Sequence, residues 1–140
     1  MKIREIRKEE YDQCQQMIYD IFDKCLAKEY SAKGRETFRN IIRFEDKTTW
    51  VAEDNNKIIG VSAIIKNTRH MMYLFILPQY QGKKIGTLLL DKVKKYLGPG
   101  PITVKASRIA DKFYLKHGFK PTDDWQEEGE LYYLPMKLDI

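Results

Sequence analysis

The sequence contains 140 residues, of which 43% are hydrophobic and 32% are charged, and its formal net charge at pH 7 is +5. A chain of this length and composition folds without a disulfide or a metal ion and differs from disordered and collagenous sequences. The excess of lysine and arginine favours anionic partners such as phosphates or RNA without identifying one. No apolar run reaches the roughly 20 residues of a membrane span, and the charged N-terminus lacks the features of a signal peptide. We therefore expect one cytoplasmic domain over residues 1–140, with no membrane segment.

The first third of the chain predicts a strand and two helices. Residues 2–7 favour a short strand, and residues 9–30 follow with helical apolar spacing. Ser31 suits the N-cap of a second helix, which ends before Thr48. The two cysteines of the chain lie on the apolar face of the first helix, roughly 16 Å apart along its axis, so we expect core residues and no disulfide.

The middle of the chain predicts three strands. Residues 49–53 and 58–65 flank an Asp-Asn-Asn-Lys turn at 54–57, which is typical of an antiparallel hairpin. Residues 70–77 are rich in aromatic and branched side chains and stop at Pro78, as a mostly buried strand would.

A third helix is predicted over residues 83–97. Gly98-Pro99-Gly100-Pro101 ends it, and a strand over 102–106, a helix over 109–117 and two strands around Glu128-Gly129 complete the chain. The pattern therefore predicts a mixed α/β fold with about seven strands and about four helices. The apolar positions of the third helix are Ile85, Leu88, Leu89, Val93, Tyr96 and Leu97.

The turn between the strand predicted over residues 70–77 and the third helix has the composition of an anion-binding site. A helix that starts directly after a strand leaves several backbone N–H groups without partners, and they attract anions. Glycine lets a phosphate approach the backbone, and lysine adds positive charge. Residues 81–86, Gln-Gly-Lys-Lys-Ile-Gly, therefore predict a diphosphate cradle. They match neither the Walker nor the dinucleotide-binding pattern, so NTPase and NAD functions lose their main support.

Two segments in this order resemble the GNAT superfamily of acetyl-CoA-dependent N-acetyltransferases. LFILPQYQGKKIGTLLL, residues 74–90, resembles the family's fourth strand and its Q/R-x-x-G-x-G/A turn, and FYLKHGF, residues 113–119, resembles its F-Y-x-x-x-G-F segment. The resemblance extends over nearly the whole chain and is greatest to small bacterial single-domain members. It implies the GNAT acyl-CoA N-acyltransferase fold, with a mostly antiparallel mixed sheet, and binding of acetyl-CoA. The family turn usually has glycine where this chain has Lys84.

The resemblance also implies which residues contact the cofactor. The backbone of residues 74–76 should pair with pantetheine, with the N–H of Ile76 facing the acetyl carbonyl, and the turn should hold the pyrophosphate. Lys84 still offers its N–H in any permitted conformation, whereas cofactor affinity falls if the freedom of glycine is essential there. The residues expected to bind the cofactor are Leu74, Phe75, Ile76, Gln81, Gly82, Lys83, Lys84, Ile85, Gly86, Thr87, Ser107 and Tyr114.

Catalytic roles follow for two side chains. By resemblance, Tyr114 is placed to protonate the departing thiolate, although a core aromatic is the alternative interpretation. The fourth family strand has no carboxylate here, so the general base is His70, Glu127 or Glu128 acting through water, or a water relay alone. His70 is also open to a purely structural role. His117 is expected at the C-terminal end of its helix, near the helix dipole.

Three functions compete at this point. The leading hypothesis is an N-acetyltransferase that acts by direct attack on a small-molecule or protein amine. The second is a non-catalytic regulator that binds acyl-CoA, and the third is an RNA-directed enzyme that acetylates a charged tRNA, although nucleic-acid signatures are absent. The oligomeric state, monomer or homodimer, is open. Aromatic residues that could contact the acceptor are Tyr19, Phe22, Tyr30, Trp125, Tyr132 and Tyr133.

Overall fold

The computed structural model describes residues 1–140 as eight strands and four helices. The helices are α1 (Tyr11–Cys25), α2 (Ala32–Ile41), α3 (Ile85–Leu97) and α4 (Asp111–Lys116). The strands are β1 (Lys2–Glu5), β2 (Lys47–Asp54), β3 (Lys57–Ile65), β4 (His70–Ile76), β5 (Pro101–Ala106), β6 (Lys120–Pro121), β7 (Gln126–Glu128) and β8 (Leu131–Asp139). The predicted mixed α/β class is confirmed, and the two-residue β6 is the strand that the sequence did not predict.

The strands form a mostly antiparallel sheet with helices on both faces. Its order is β1-β2-β3-β4-β5-β8-β6, and β7 pairs with the outer part of β8. Side chains alternate between the faces of a strand, so Val51 packs with α1 and α2 whereas its neighbours Trp50 and Ala52 pack with α3 and α4. The core therefore has two apolar layers, one on each side of the sheet. None of the four helices combines the length and the apolar composition of a membrane-spanning segment.

The helices are shorter than the sequence predicted. The first predicted helix ends as α1 at Cys25, because Leu26 leaves the helical region at φ −129° and turns into the core. Both cysteines are free thiols, and Cys14 is fully buried. The third predicted helix begins as α3 at Ile85, because Lys84 has the left-handed φ of 64° and cannot continue a helix.

The buried face of α3 differs at three positions from the predicted stripe. Leu90 is fully buried, whereas Leu88 and Tyr96 are 41% and 58% exposed. At 100° per residue, Leu88 points well away from the face that Leu89 and Val93 define. Tyr96 lies near the end of the helix, where its ring packs edge-on against Trp50 at a centroid distance of 5.1 Å.

The sheet opens between its two parallel strands. β4 pairs with β5 only through His70 opposite Thr103 and Met71 opposite Val104. The next residue of β4, Met72, is extra in the ladder with β3, since the register shifts between Ala63 and the following residue. Such a bulge bends a strand and increases its twist. The rest of β4 therefore diverges from β5 and leaves a gap in the middle of the sheet.

Candidate active site

A cavity of about 840 Å³ occupies the gap between β4 and β5. It extends from the start of α3 to α1, α2 and the β7–β8 hairpin, so it reaches both sides of the molecule. Both predicted catalytic residues, Tyr114 and His70, line it. Of the residues predicted to bind the cofactor, only Lys83 does not. Those that line the cavity are Leu74, Phe75, Ile76, Gln81, Gly82, Lys84, Ile85, Gly86, Thr87, Ser107 and Tyr114.

The start of α3 has the free N–H groups that an anion site requires. None of the six backbone N–H groups of residues 82–87 donates to a protein acceptor, and the next, from Leu88, donates to the carbonyl of Lys84 at 3.1 Å. No side chain caps the helix. Five of these six residues, all but Lys83, line the cavity, so the free N–H groups and the positive end of the helix dipole lie together at one end of it.

The two lysines of the turn differ in position. Lys84 lines the cavity, with φ 64° and ψ 16° at the N-cap of α3. This left-handed conformation is the one that glycine adopts most easily, and it is open to other residues at a moderate energetic cost. Lys83 lies outside the cavity, with its ammonium 5.5 Å from the centre of the Tyr80 ring. The Gln81 amide donates to the carbonyl of Ile76 at 3.4 Å and so ties the turn to β4.

The free edge of β4 carries backbone polar groups that face the gap. The N–H of Leu77 donates to the carbonyl of Ile59 on β3 at 2.9 Å, and Phe75 lies two residues earlier in the same ladder. Hydrogen-bonded positions alternate along an antiparallel pair, so the N–H and C=O of Phe75 face β3 and those of Leu74 and Ile76 face away from it. The side to which they point is the side from which β5 has diverged.

Gly86 allows α4 to lie close to the start of α3. A Cβ atom at this position would lie 2.9 Å from Cε1 of Phe113, which is closer than two carbon atoms normally approach. The ring of Phe113 stacks on His117 at a centroid distance of 4.2 Å. His117 donates from Nδ1 to the carbonyl of Phe113 at 2.8 Å, as expected at a helix C-terminus, and its Nε2 is hydrogen-bonded to the Thr87 hydroxyl at 2.9 Å. The sequence did not predict this link between the two helices.

Tyr114 has a buried ring and a hydroxyl that reaches the cavity. Its residue exposure is 4%, and its ring packs edge-on against Phe113 and Phe119. The hydroxyl makes no protein hydrogen bond, yet it is not among the fully buried unpaired polar atoms of the molecule. Burial raises the pKa of Tyr114 well above its usual value, which keeps the phenol protonated.

His70 lies where β4 and β5 are still paired, at the closed end of the gap. Its Nδ1 lies 2.8 Å from the hydroxyl of Thr103, which leaves Nε2 free of protein partners. Burial, and secondarily the charge of Lys105, lower the pKa of His70 below its ordinary value. The imidazole is therefore neutral near pH 7 and can accept a proton.

The hairpin and the first helices contribute unequally to the cavity. Glu128 lines it and pairs with the ammonium of Lys105 at 2.9 Å, whereas Glu127 is exposed outside it. Of the aromatic residues expected near the acceptor, Tyr19 and Trp125 also lie outside the cavity. The expected residues that do line it are Phe22, Tyr30, Tyr132 and Tyr133.

Comparisons with known proteins agree on a family and a fold. Residues 7–140 match the family described as acetyltransferase (GNAT) domain. A GCN5-related N-acetyltransferase structure from Rhodopseudomonas palustris superposes with a TM-score of 0.83 at 21% identity, covering 99% of this chain and 95% of that one. The PaiA N-acetyltransferase of Thermoplasma acidophilum, in complex with coenzyme A, gives 0.76 at 22% identity over 99% and 98%. The apo form of YjaB from Escherichia coli gives 0.75 at 24% identity over 99% and 95%. No curated protein sequence matches the chain.

Proposed function

The chain belongs to the GNAT acetyltransferase family, and from this premise we propose that it transfers an acetyl group from acetyl-CoA to a primary amine by direct attack in a ternary complex. The observation that carries the proposal is the continuity of the cavity. A cluster of six free N–H groups lies at one end, a strand edge with free backbone groups runs along it, and a protonated phenol faces its interior. In acetyl-CoA, the pyrophosphate would meet the N–H groups, the amides of the pantetheine arm would meet the strand edge, and the departing thiolate would meet the phenol.

The residues around the cradle fit the anionic part of coenzyme A. The N–H groups of residues 82–87 would hold the pyrophosphate, and the side chains of Lys84 and Lys116, which line the same end, add positive charge. Gly86 lets the Phe113 ring pack directly against this end of the cavity, because any side chain at position 86 would collide with that ring. Ser107 also lines the cavity and offers a hydroxyl.

The free edge of β4 fits the pantetheine arm. The backbone groups of Leu74 and the N–H of Ile76 face the gap and can pair with its amides, as a neighbouring strand would, whereas the carbonyl of Ile76 already accepts from Gln81. Ile76 is nearer to the cradle, so its N–H is closer to the phosphate end. Leu74, with the same orientation and two residues farther from the cradle, is the better candidate for the acetyl carbonyl, and this proposal replaces the sequence-based expectation that the N–H of Ile76 faces it.

Bound acetyl-CoA would supply a thioester, which is an acetyl group with a good leaving group. In the proposed step the amine nitrogen forms the new N–C bond as the C–S bond breaks, one amine proton leaves, and the thiolate receives a proton. Tyr114 is the proton donor, because its raised pKa keeps it protonated and its hydroxyl faces the cavity without a competing partner.

His70 is proposed as the acceptor of the amine proton through a bridging water. It lines the cavity, has a free Nε2 and is neutral near pH 7. Its place at the start of β4 argues for a water relay over direct contact. Glu128 is a weaker candidate, since Lys105 already binds its carboxylate.

Calorimetric titration with acetyl-CoA, with free CoA, ATP and NAD as controls, tests the binding half of this proposal. Release of free thiol in the presence of an amine panel tests the transfer half. We expect selective binding of the two CoA compounds and amine-dependent thiol release. Binding without transfer to any amine would instead support a regulator that binds acyl-CoA, and no binding would remove both functions.

A matched pair of variants locates the cradle. Gly86→Glu places a carboxylate at the start of α3, in addition to the collision with Phe113, and should abolish acetyl-CoA binding, a larger loss than the collision alone causes in Gly86→Ala. Leu88→Glu adds the same charge two residues later, on a side chain that is 41% exposed and outside the cavity, and should bind nearly as the unmodified protein does. Equal binding by both variants would mean that the cradle is misplaced.

A further inference from the structure

The part of the cavity opposite the cradle is almost entirely apolar. We call this part of the cavity the acceptor end. It is formed by the cavity-lining residues of α1, α2, their connecting segments and the β7–β8 hairpin. Helix α2 and the hairpin face each other across it. Its apolar members are Ile21, Phe22, Leu26, Tyr30, Phe38, Ile41, Ile42, Leu131, Tyr132 and Tyr133.

Aromatic rings form one continuous wall of the acceptor end. Phe22 stacks on Phe38 at a centroid distance of 3.9 Å and on Tyr30 at 5.6 Å. Tyr30 in turn stacks on Tyr132 of the hairpin at 5.8 Å, and its hydroxyl donates to the Tyr132 carbonyl at 3.3 Å. A flat apolar group can lie against such a wall without requiring any side chain to find a polar partner.

The charges around the cavity do not suit a polycation. Glu128 is the one carboxylate that lines it, and the ammonium of Lys105 lies 2.9 Å from its Oε2. Lys105 also lies over the Tyr133 ring, 4.8 Å from its centre. The other charged lining residues, Lys84 and Lys116, are positive and belong to the cradle end. A second or third ammonium on the acceptor would therefore find no free negative partner and would be repelled.

The acceptor end is also closed by direct bonds between α2 and the hairpin. The hydroxyl of Thr37 donates to the carbonyl of Gly129 at 2.7 Å, and both residues line the cavity. The Ser31 hydroxyl donates to Glu130 Oε1 at 2.7 Å. The total cavity volume of about 840 Å³ must also hold the pantetheine arm, so the space left is that of a small molecule.

We propose that the acceptor is a small monoamine whose amine is carried on an apolar body of about the size of an aromatic ring. The inference rests on the proposed N-acetyl transfer and names the substrate class of the same site. The apolar body lies against the aromatic wall, and the single amine points toward Leu74 and His70. Polyamines, aminoglycosides and lysine side chains of proteins are poor acceptors.

The test compares four acceptors by thiol release at pH 8, where His70 is neutral. They are 2-phenylethylamine, spermidine, kanamycin and a short lysine peptide. We expect kcat/KM for 2-phenylethylamine to exceed that of each other acceptor at least about tenfold, since about 1.4 kcal/mol of differential binding gives that factor. Calorimetric titration of 2-phenylethylamine into the protein with CoA should show binding, and spermidine should not bind.

Two variants test the cause of the preference. Ile41→Glu adds a carboxylate to the acceptor end and should raise kcat/KM for spermidine relative to 2-phenylethylamine, whereas Ile41→Gln, of the same shape without the charge, should not. Lys105→Met removes the ammonium that pairs with Glu128 and should also raise kcat/KM for spermidine relative to 2-phenylethylamine. The test therefore does not depend on the folding of a single variant. Thermal unfolding of each variant checks its fold.

The possible outcomes separate the inference from the proposed function. A preference for 2-phenylethylamine that weakens in Ile41→Glu and Lys105→Met supports the inference. Efficient transfer to spermidine, kanamycin or the peptide by the unmodified protein overturns it and leaves N-acetyl transfer intact. Transfer to no amine, with acetyl-CoA bound, overturns the proposed function and the inference together.

Discussion

Lys84 is the residue at which this chain departs from the sequence pattern of its family. Lys84 adopts the left-handed conformation that glycine adopts most easily, with φ 64° and ψ 16°. Its N–H stays free and its side chain lies at the cavity. The lysine therefore adds a positive charge at the cradle, and its left-handed conformation costs some backbone strain.

Replacing Lys84 by alanine and by glycine separates the strain from the charge. Both variants lose the ammonium, so we expect a similar decrease in acetyl-CoA affinity of roughly two- to fivefold. Only glycine removes the strain, so Lys84→Gly should be more stable than Lys84→Ala by about 1 kcal/mol. Calorimetry and denaturant unfolding measure the two effects. Equal stability of the two variants would contradict the left-handed conformation.

Tyr114 is the residue whose removal should affect the chemistry alone. Tyr114→Phe keeps the ring and its contacts with Phe113 and Phe119, and the lost hydroxyl has no protein partner. We expect acetyl-CoA affinity within about twofold of the unmodified protein, and a decrease in kcat of roughly a hundredfold, as is typical of a lost general acid. Steady-state kinetics beside calorimetry measures both. An unchanged kcat would leave Tyr114 as a core aromatic residue.

Among the secondary-structure elements, α3 and α4 determine the cradle together. Gly86 brings the start of α3 against Phe113, and the Thr87 hydroxyl bonds to His117 at the end of α4. These two contacts with α4 fix the position of the start of α3, and they therefore also fix the positions of its free N–H groups. A change in the packing of the two helices should therefore appear in the binding of acetyl-CoA.

Gly86→Ala tests this coupling. The added methyl group would lie 2.9 Å from the Phe113 ring, and overpacking of this kind destabilises a fold by about 1–3 kcal/mol. We expect lower stability and weaker acetyl-CoA binding. Phe113→Leu in the same chain removes the ring atoms that collide and should restore part of both, with Phe113→Leu alone as the control. Failure of the double variant to recover either property would contradict the packing account.

The elements were predictable from the sequence where a local pattern determines them. The apolar face of α1, part of the apolar face of α3, the hairpin of β2 and β3, and the glycine-rich start of α3 follow from spacing and turn composition. The conformation of Lys84 did not follow, because lysine has no preference for positive φ. The Thr87 and His117 contact and the burial of Leu90 depend on how helices meet across 30 residues or on the sheet surface beneath them. Spacing along the chain does not contain that information.

On the scale of the whole molecule, the site lies where the sheet is incomplete. Each face of the sheet has its own apolar layer, and the divergence of β4 from β5 joins the two faces through one cavity. The helices of one face provide the cradle and Tyr114, and those of the other provide the acceptor end. Neither apolar layer lines this cavity alone, so the order of the strands determines the candidate site as much as the two sequence segments do.

The N-terminal edge of this sheet depends on a charge cluster around Arg4. Its guanidinium donates to both oxygens of Glu10, at 2.9 and 2.8 Å, and to Glu53 at 2.8 Å, so it ties β1 to β2 and to the turn before α1. The hydrogen bond from Arg4, aided by the N–H of Arg7, lowers the pKa of Glu10 to about 2. Arg4 likewise lowers the pKa of Glu53.

Acid unfolding should therefore begin at this edge. The folded pKa of Glu10 lies below its ordinary value of 4.5, so its contribution is fully present above about pH 4.5 and is lost as the pH falls toward about 2. After allowance for screening at the surface, the contribution is on the order of 1–2 kcal/mol.

Glu10→Gln should lower the free energy of unfolding by that amount at pH 7 and by much less near pH 2. Glu9→Gln, at an exposed neighbour without an ion pair, is the matched control and should change little at either pH. Urea unfolding of the three proteins across this range measures the effect, and a constant difference between Glu10→Gln and the unmodified protein at all pH values would show that the pair with Arg4 does not carry it.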